Sequence, residues 1–234
     1  MLGEASGRGN RIFRRFSAAN SRPPRHNARM IEFAPGLLYF PDYYSRAEQA
    51  ALAEELCEAV KTAPLFTPLM PRTGKPFSVR MTNFGPLGWV SDRERGYRYE
   101  PTHPQTGTPW PAIPEQALRA WRETGGYPHD PEACLLNFYE ITARRGLHQD
   151  RDEAALDAPV VSISLGDSCL FRIGGETRGG KTRSFKLHSG DVLIIGGASR
   201  LAFHGVDRIF PATSTLLPHG GRINLTMRRV TKAG

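Results

Sequence analysis

The sequence predicts a mainly β fold with flanking helices, that is, an α+β protein. From Ala133 onward, short apolar runs of strand length alternate with glycine-containing turns, a pattern typical of a β-sandwich or barrel. Two amphipathic helices are predicted before this region. The 234 residues are 39% hydrophobic and 23% charged, which is ordinary for one soluble domain with a substantial core.

The first 29 residues form a basic tail that we predict to be disordered, because the segment is rich in Gly, Ser, Asn, Arg and Pro. The tail has seven arginines and one acid, so it carries +6 of the chain's net charge of +8. A basic nucleic-acid arm, a transit-like peptide and a true start at Met30 are three open interpretations. The nearly neutral remainder argues against binding long duplex DNA by charge alone, but it allows contact with a few phosphates.

The segment after the tail is predicted to begin with a strand, a turn and a loop over residues 30–44. A helix should follow from Ser45 to about Thr62, because apolar residues recur there at helical spacing. Glu48 stands three residues after Ser45, which is the spacing of a capping box.

The segment 64–113 is predicted to be loop-rich, because it contains many Pro and Gly residues. It also carries a dense set of large aromatic side chains, namely Trp89, Tyr97, Tyr99 and Trp110. A second helix is predicted over 114–124. The strands predicted after it are 133–141, 159–165, 168–173, 183–188, 191–195, 200–206 and 222–230. We therefore divide the chain into a tail (1–29), an N-terminal region (30–132) and a β core (133–234).

The three cysteines, Cys57, Cys134 and Cys169, form no CxxC pair and no disulfide framework, which suits a reducing compartment. No stretch approaches the ~18 consecutive apolar residues of a membrane-spanning helix, so no membrane association is expected. We expect a cytoplasmic monomer.

A set of metal-ligating side chains begins with His148 and Asp150. Residues two apart on an extended chain face the same way, so this imidazole and this carboxylate can share one metal ion. His204 lies in an apolar run that predicts a buried strand, where a histidine needs a polar partner. Two histidines and one carboxylate make the facial triad of non-haem Fe(II) sites, although a surface polar pair and a core histidine are the plain alternatives.

The segment 222–228 alternates strictly between polar and apolar residues. The polar set is Arg222, Asn224, Thr226 and Arg228. If the apolar face packs, the polar face lines a cavity. Two buried arginines need anions, and a small dicarboxylate meets that need, because guanidinium groups bind carboxylates in bidentate fashion. An edge strand with its polar face in water is the alternative. Asn137 and Tyr139 show the same alternation and can hydrogen-bond the same ligand.

The chain resembles the AlkB family of 2-oxoglutarate dioxygenases in four motifs that follow one another in the family's order: Asn137-x-Tyr139, His148-x-Asp150, His204 and Arg222-x-Asn224-x-Thr226-x-Arg228. The connecting segments 81–85, 87–89, 159–166 and 189–192 are also similar. The resemblance covers roughly residues 31–230 and is closest to the bacterial members.

The resemblance implies a double-stranded β-helix (jelly-roll) core with an N-terminal nucleotide-recognition lid. It also implies Fe(II) bound by His148, Asp150 and His204, with 2-oxoglutarate as the co-substrate of O₂. Five residues are implied to hold 2-oxoglutarate: Arg222 at the distal carboxylate, assisted by Tyr139 and Asn224, and Arg228 and Asn137 around the chelating end.

The resemblance also assigns substrate-binding residues around the lid. Trp89 is implied to stack on a flipped base, with His148 on the other side. The remaining assignments are Tyr97 and Tyr99 near the substrate backbone and pocket, Asp152 facing the damaged base, and Arg178 lining the pocket. Two positions depart from the family: Ile195 replaces a tryptophan near the iron, and Met227 replaces a phenylalanine. The first is expected to alter pocket volume and the second to be tolerated.

The implied activity is oxidative demethylation of N-alkylated bases such as 1-methyladenine and 3-methylcytosine, with release of formaldehyde. Single- or double-stranded DNA is the implied substrate, and RNA is a second possibility. A 2-oxoglutarate-dependent hydroxylase of protein or a small molecule is the alternative enzyme, which the aromatic lid disfavours. A non-catalytic nucleic-acid-binding module is the alternative of another class, which the metal triad and the two cavity arginines disfavour.

Overall fold

The computed structural model describes residues 29–232, in which thirteen strands and two α-helices are present. The predictions for the tail fall almost wholly outside these residues. In chain order the elements are β1 (Ile31–Ala34), β2 (Leu37–Phe40), α1 (Arg46–Thr62), β3 (Arg80–Phe84), β4 (Gly88–Asp92), β5 (Gly96–Glu100), α2 (Glu115–Thr124), β6 (Ala133–Tyr139), β7 (Arg145–His148), β8 (Val160–Gly166), β9 (Ser168–Ile173), β10 (Arg183–Leu187), β11 (Val192–Ile195), β12 (His204–Phe210) and β13 (Arg222–Arg228).

Helix α1 begins with the capping box that the sequence predicts. The Ser45 side chain accepts a hydrogen bond from the Glu48 backbone N–H, and the Glu48 carboxylate accepts one from the Ser45 N–H at 2.8 Å. These bonds satisfy two of the backbone donors that a helix start leaves without partners. Helix α2 spans Glu115–Thr124, so both predicted helices are present within one residue of their expected bounds.

Two antiparallel sheets face each other in the arrangement of a jelly roll. The large sheet has the order β1-β2-β11-β8-β13-β6-β3, and the small sheet has the order β10-β9-β12-β7. Strands β4 and β5 form a separate hairpin. The predicted mainly β fold with flanking helices and a jelly-roll core is therefore confirmed.

The core has two layers on opposite faces of the large sheet. One layer packs the sheet against both helices and includes Leu56, Trp121, Ile163 and Leu225. The other layer fills the space between the two sheets, where Leu193 and Ile195 meet Phe171 and Val206. Alternating residues of each central strand enter different layers, as the two-residue period of a strand requires. The inter-sheet layer is the one that opens into the site described below.

Three parts of the predicted secondary structure were wrong. The loop-rich segment 64–113 contains strands β3, β4 and β5, because its short runs pair with distant or adjacent strands despite the many prolines. The predicted strand 200–206 starts at His204 instead, because residues 197–199 make a short 3₁₀ turn. The strand Arg145–His148 was missed, because it has no apolar alternation.

The strands β1 and β2 form a hairpin at the edge of the large sheet, where only one strand was predicted. Gly36 makes this tight turn at φ 79°, and a Cβ there would lie 2.0 Å from the Gly196 carbonyl oxygen.

Among residues 29–232, no helix is long and apolar enough to cross a membrane.

Candidate active site

Three metal-ligating side chains meet at one edge of the small sheet. His148 ends β7, His204 begins β12, and the two residues are direct partners across the antiparallel pair. Asp150 follows β7 and its two carboxylate oxygens lie 3.7 Å from the Nε2 atoms of the two histidines. The candidate ligand atoms of all three residues lie within 4.8 Å of one another. The same-face placement expected from the sequence is therefore present.

The two imidazoles are held in the form that a metal ion needs. The Nδ1 atom of His148 donates to the Gly146 carbonyl at 3.0 Å, and Nδ1 of His204 donates to the Ala202 carbonyl at 3.0 Å. The Nε2 atoms therefore carry the ring lone pairs and lie 3.7 Å from the Asp150 carboxylate, and that of His148 also accepts a hydrogen bond from Arg145 Nε at 3.1 Å. Burial lowers the pKa of both histidines below the ordinary imidazole value, so both rings are neutral near pH 7.

A buried ion network surrounds the carboxylate of Asp150. Burial alone would raise the pKa of Asp150, but Arg228, whose Nη2 lies 2.9 Å from Oδ2, holds it below the ordinary carboxyl value. Glu153 pairs with Arg228 at 3.4 Å and with Arg200 at 3.0 Å. Arg200 also donates to the Asp150 backbone carbonyl. The network fixes the Asp150 segment against the loop that carries Arg200.

A cavity beside this cluster is lined by the polar faces of β6 and β13. Its lining includes Asn137, Tyr139, Arg222, Asn224, Thr226 and Arg228. Ile223, Leu225 and Met227 face the opposite core layer. The alternation read from the sequence therefore describes a strand with its polar face turned inward, and the edge strand exposed to water is excluded.

The cavity contains buried polar atoms that lack partners. Arg222 is 1% exposed and donates from Nη2 to Ser164 Oγ at 2.8 Å, while its Nε and Nη1 have no partner among residues 29–232. Nη1 of Arg228 and Oδ1 of Asn137 are also without one. Buried guanidinium nitrogens are costly to leave unpaired, so this cavity is suited to a carboxylate ligand. The residues present thus fit 2-oxoglutarate beside a metal held by two imidazoles and one carboxylate.

A second cavity of about 370 Å³ opens from the same cluster toward the surface. Phe77, Trp89 and Tyr97 line it together with His148, Asp150 and Asp152. A volume of this order is at the lower end of the range for small-molecule sites, about 300–1,000 Å³. The cavity therefore joins an aromatic wall to the candidate metal ligands.

Trp89 forms the aromatic wall on strand β4. Its Nε1 donates to Asp152 Oδ2 at 2.9 Å, and the exposed ring of Tyr97 stacks on it with centroids 5.4 Å apart. Phe77 packs edge-on at 6.1 Å. Trp89 is only 6% exposed and also belongs to the inter-sheet core layer. It is therefore both a packed residue and a wall of the cavity.

The structure places the other residues that were assigned to substrate binding in two different environments. Asp152 and Arg178 are exposed and line the outer cavity, and Arg178 donates to the Leu147 carbonyl at 3.1 Å. Tyr99 lines neither cavity: its hydroxyl donates to buried Glu153, and burial raises the pKa of that hydroxyl well above the ordinary value. Tyr99 thus supports the ion network from behind the pocket.

Sequence reasoning missed three residues that shape the site. Arg145 lines both cavities and donates from Nε to His148 Nε2 at 3.1 Å. Arg200 ties the segment after His148 to the turn before His204. Gly205 lets β7 approach β12, because a Cβ there would lie 2.5 Å from the Arg145 carbonyl oxygen. The His-Gly pair at 204–205 was the available signal for the last of these.

A jelly-roll core with this donor set is the arrangement of a non-haem Fe(II) oxygenase. Residues 36–228 match the family model of the 2OG-Fe(II) oxygenase superfamily. An alpha-ketoglutarate-dependent dioxygenase AlkB homolog of Caulobacter vibrioides is 50% identical over 206 residues, which are 88% of this chain and 93% of that protein. The alpha-ketoglutarate-dependent dioxygenase AlkB of Escherichia coli is 39% identical over 81% of this chain and 87% of its own length.

A solved structure of OsALKBH1 superposes with a TM-score of 0.71 at 32% identity, covering 86% of this chain and all of that one. Shorter matches, each over 42% of this chain, reach a DNA N(6)-methyladenine demethylase of Arabidopsis thaliana (47% identical) and a tRNA demethylase of Schizosaccharomyces pombe (38% identical). The chain therefore belongs to the AlkB family of the 2OG-Fe(II) oxygenase superfamily. It is a dioxygenase that depends on Fe(II) and uses 2-oxoglutarate with O₂.

Proposed function

We propose that this dioxygenase removes alkyl groups from base nitrogens of nucleic acid, with 1-methyladenine and 3-methylcytosine in DNA as substrates and RNA as a second polymer. The observation that carries the proposal is the outer cavity, in which a tryptophan wall stands directly beside the candidate metal ligands. Family members described as DNA and tRNA demethylases support a nucleic-acid substrate.

The inner cluster has the role of holding Fe(II) and 2-oxoglutarate. His148, Asp150 and His204 are the proposed metal ligands, because their donor atoms converge and both imidazoles are neutral. Arg222 receives the distal carboxylate of 2-oxoglutarate, together with Tyr139 and Asn224. Arg228 and Asn137 surround the chelating end, where their unpartnered atoms lie.

The outer cavity has the role of holding one base outside the stack. A base paired in a duplex cannot reach a buried metal, so it is flipped out or is single-stranded from the start. Trp89 provides the stacking surface, and its bond to Asp152 fixes the ring plane. Tyr97 closes over the same ring at the exposed rim, and Arg178 and Asp152 complete that rim. Tyr99 acts through Glu153 to hold the floor of the pocket.

The chemistry follows from the neighbouring cavities. Bound Fe(II), with 2-oxoglutarate and O₂, supplies an oxidant for the C–H bond of an N-methyl group. With these groups bound, the methyl group would become a hydroxymethyl group while 2-oxoglutarate is converted to succinate and CO₂. The hydroxymethyl group would then leave as formaldehyde: the C–N bonding electrons return to the base nitrogen and the hydroxyl proton passes to solvent, which restores the neutral base. Trp89 and His148, which both line the outer cavity, hold the base so that its alkyl group faces the ligand cluster.

The same reasoning assigns different roles to the two regions of the chain. The hairpin β4–β5 and its neighbouring loops, within 30–132, act as the nucleotide-recognition lid, while 133–234 holds the metal and 2-oxoglutarate. Strands β1 to β3 join the large sheet, so the lid is the part of 30–132 that stands off it. We place the working protein as a monomer in the cytoplasm, and the tail as an added contact to phosphates.

The test compares substrate classes under one set of conditions. The full chain is incubated with Fe(II), 2-oxoglutarate and air on a 1-methyladenine DNA oligonucleotide, the RNA of the same sequence and an unmethylated oligonucleotide. Mass spectrometry should show loss of one methylene from the methylated strands and no change in the third. If no methylated nucleic acid stimulates succinate formation and no methylated strand is converted, the result would favour a hydroxylase that acts on protein or a small molecule.

A further inference from the structure

We propose that Arg145 is a specificity-determining residue that favours neutral alkylated bases bearing a carbonyl group next to the alkylated nitrogen, such as 1-methylguanine and 3-methylthymine. This inference rests on the proposed function, because it assigns a substrate class to the same outer cavity. Arg145 belongs to β7, three residues before His148.

The position of Arg145 is the first observation. Its side chain lines both the inner cavity and the outer cavity, so it stands at the boundary between them. The guanidinium carbon lies 5.3 Å from the ring centre of Phe77 and 5.7 Å from that of Trp89. The arginine is thus part of the wall against which a base would stack.

The hydrogen bonding of Arg145 is the second observation. Nε lies 3.1 Å from His148 Nε2, where a metal ion bound to that atom would replace it as the partner, and Nη1 is buried with no partner among residues 29–232. No carboxylate of the described residues pairs with this guanidinium. The nearby buried acids, Asp150 and Glu153, pair with Arg228 and Arg200 instead. Arg145 therefore offers an unused cationic donor beside the base site.

The charges at the rim act in the same direction. Arg144, Arg151 and Arg178 are exposed and line the outer cavity, and Asp152 is the exposed acid among the described lining residues. Asp152 is engaged with Trp89 Nε1. The cavity is therefore positive on balance at the place where the base enters.

The charge and the hydrogen-bonding groups of a methylated base determine whether Arg145 favours its binding. Methylation at N1 of adenine or N3 of cytosine makes the ring a cation, and the exocyclic group at C6 of adenine or C4 of cytosine is an amine that donates. Methylation at N1 of guanine or N3 of thymine leaves the ring neutral, and the exocyclic group at C6 of guanine or C4 of thymine is a carbonyl that accepts. A guanidinium donor repels the first pair and hydrogen-bonds the second. A cation in the pocket wall thus widens the substrate range toward neutral lesions.

The experiment measures a ratio within one enzyme sample. Full-length protein receives equal amounts of two oligonucleotides that differ only in carrying 1-methylguanine or 1-methyladenine, and both products are followed by mass spectrometry. The ratio of the two kcat/KM values is independent of how much enzyme carries metal. Arg145→Leu should lower the guanine-to-adenine ratio about tenfold or more, the factor expected for one charge-assisted hydrogen bond.

Matched variants keep the test decisive. Arg145→Gln removes the charge but keeps a polar side chain, and it should lower the ratio in the same direction if the leucine variant does not fold. Arg144→Leu removes one charge from the neighbouring rim position and should lower the ratio much less than Arg145→Leu, because Arg144 lines the outer cavity alone. The 3-methylthymine and 3-methylcytosine pair repeats the comparison for pyrimidines.

Three results would overturn the inference. An unchanged ratio in both Arg145 variants, with all methylated strands still used, contradicts the role of Arg145 and leaves the proposed function standing. An equal fall in the ratio for Arg144→Leu shows a general effect of rim charge instead. Failure of the unsubstituted protein on all four bases contradicts the proposed function itself, and the inference with it.

Discussion

The indole Nε1 of Trp89 donates a 2.9 Å hydrogen bond to the carboxylate of Asp152. This bond joins the hairpin β4–β5 to the segment that follows His148 and Asp150. It fixes the plane of the one tryptophan ring that lines the outer cavity of the described structure. Two side chains that are 63 positions apart therefore fix the aromatic wall relative to the candidate metal ligands.

The first prediction concerns stacking by Trp89. Base–aromatic stacking contributes about 1–3 kcal/mol per base, so Trp89→Ala should lower kcat/KM on a methylated oligonucleotide about ten- to a hundred-fold. Slow succinate formation without nucleic acid should persist, because the co-substrate contacts lie in the other cavity. Trp89→Phe is the matched control: it keeps a stacking face and loses the bond to Asp152, so its loss should be smaller.

Thermal unfolding of the same variants separates the two roles of Trp89. Because the ring is 6% exposed, some loss of stability is expected in Trp89→Ala. A base-stacking role predicts that demethylation falls much further than succinate formation. If both activities decline in parallel with the melting temperature, Trp89 is a core residue only.

The second prediction concerns the metal cluster. Asp150→Ala should weaken binding of Mn²⁺ or Co²⁺ strongly and abolish turnover, because it removes the carboxylate ligand and leaves Arg228 without its 2.9 Å partner. Isothermal titration of metal into the metal-free protein measures the effect without relying on activity. Asp152→Ala, two positions on and outside the cluster, should retain metal affinity. Normal metal stoichiometry and affinity in Asp150→Ala would refute the ligand assignment.

The third prediction concerns the buried guanidinium of Arg222. Arg222→Ala should raise the half-saturating concentration of 2-oxoglutarate at least tenfold, because removing one partner of a buried charge pair commonly costs about 2–5 kcal/mol. Arg222→Lys keeps the charge without the bidentate geometry, so its half-saturating concentration of 2-oxoglutarate should lie between those of the unsubstituted protein and Arg222→Ala. Succinate formation in the absence of nucleic acid gives the readout. An unchanged half-saturating concentration of 2-oxoglutarate in Arg222→Ala would contradict the assignment of Arg222 to co-substrate binding.

The fourth prediction concerns the basic tail, which holds +6 of the +8 net charge. A protein that begins at Met30 should keep its turnover number on a short single-stranded substrate. Its binding should depend less steeply on salt, because fewer counterions are released. Affinity measured between low and moderate salt, for both lengths of chain, tests this. A shortened chain that is folded yet inactive would show that the tail has a catalytic role.

Local patterns in the sequence predicted much of the site. The alternation from Arg222 to Arg228 identifies a strand with one polar face, and the structure turns that face into the cavity. The spacing of His148 and Asp150 places both side chains on the same side, as found. The capping box of Ser45 and Glu48 sets the start of α1. Each of these features depends on neighbours within a few positions of the chain.

The features that were missed depend on contacts between distant segments. Strand β7 exists because it pairs with β12, and its own sequence around Arg145 has no strand pattern. Gly205 permits that pairing because a Cβ would meet the Arg145 carbonyl oxygen. Tyr99 turns to Glu153 and away from the cavity, since a buried acid 54 positions further on needs a donor. Such relationships appear only when the sheets are assembled.

Base demethylation at this site should depend on both Fe(II) and 2-oxoglutarate. Three products are therefore counted in one reaction: restored adenine from 1-methyladenine DNA, formaldehyde and succinate. Restored base and formaldehyde should form in equal amounts, succinate should at least match them, and all three products should disappear in Asp150→Ala. Restored base without formaldehyde, or its continued formation in Asp150→Ala, would contradict oxidative demethylation at this metal site.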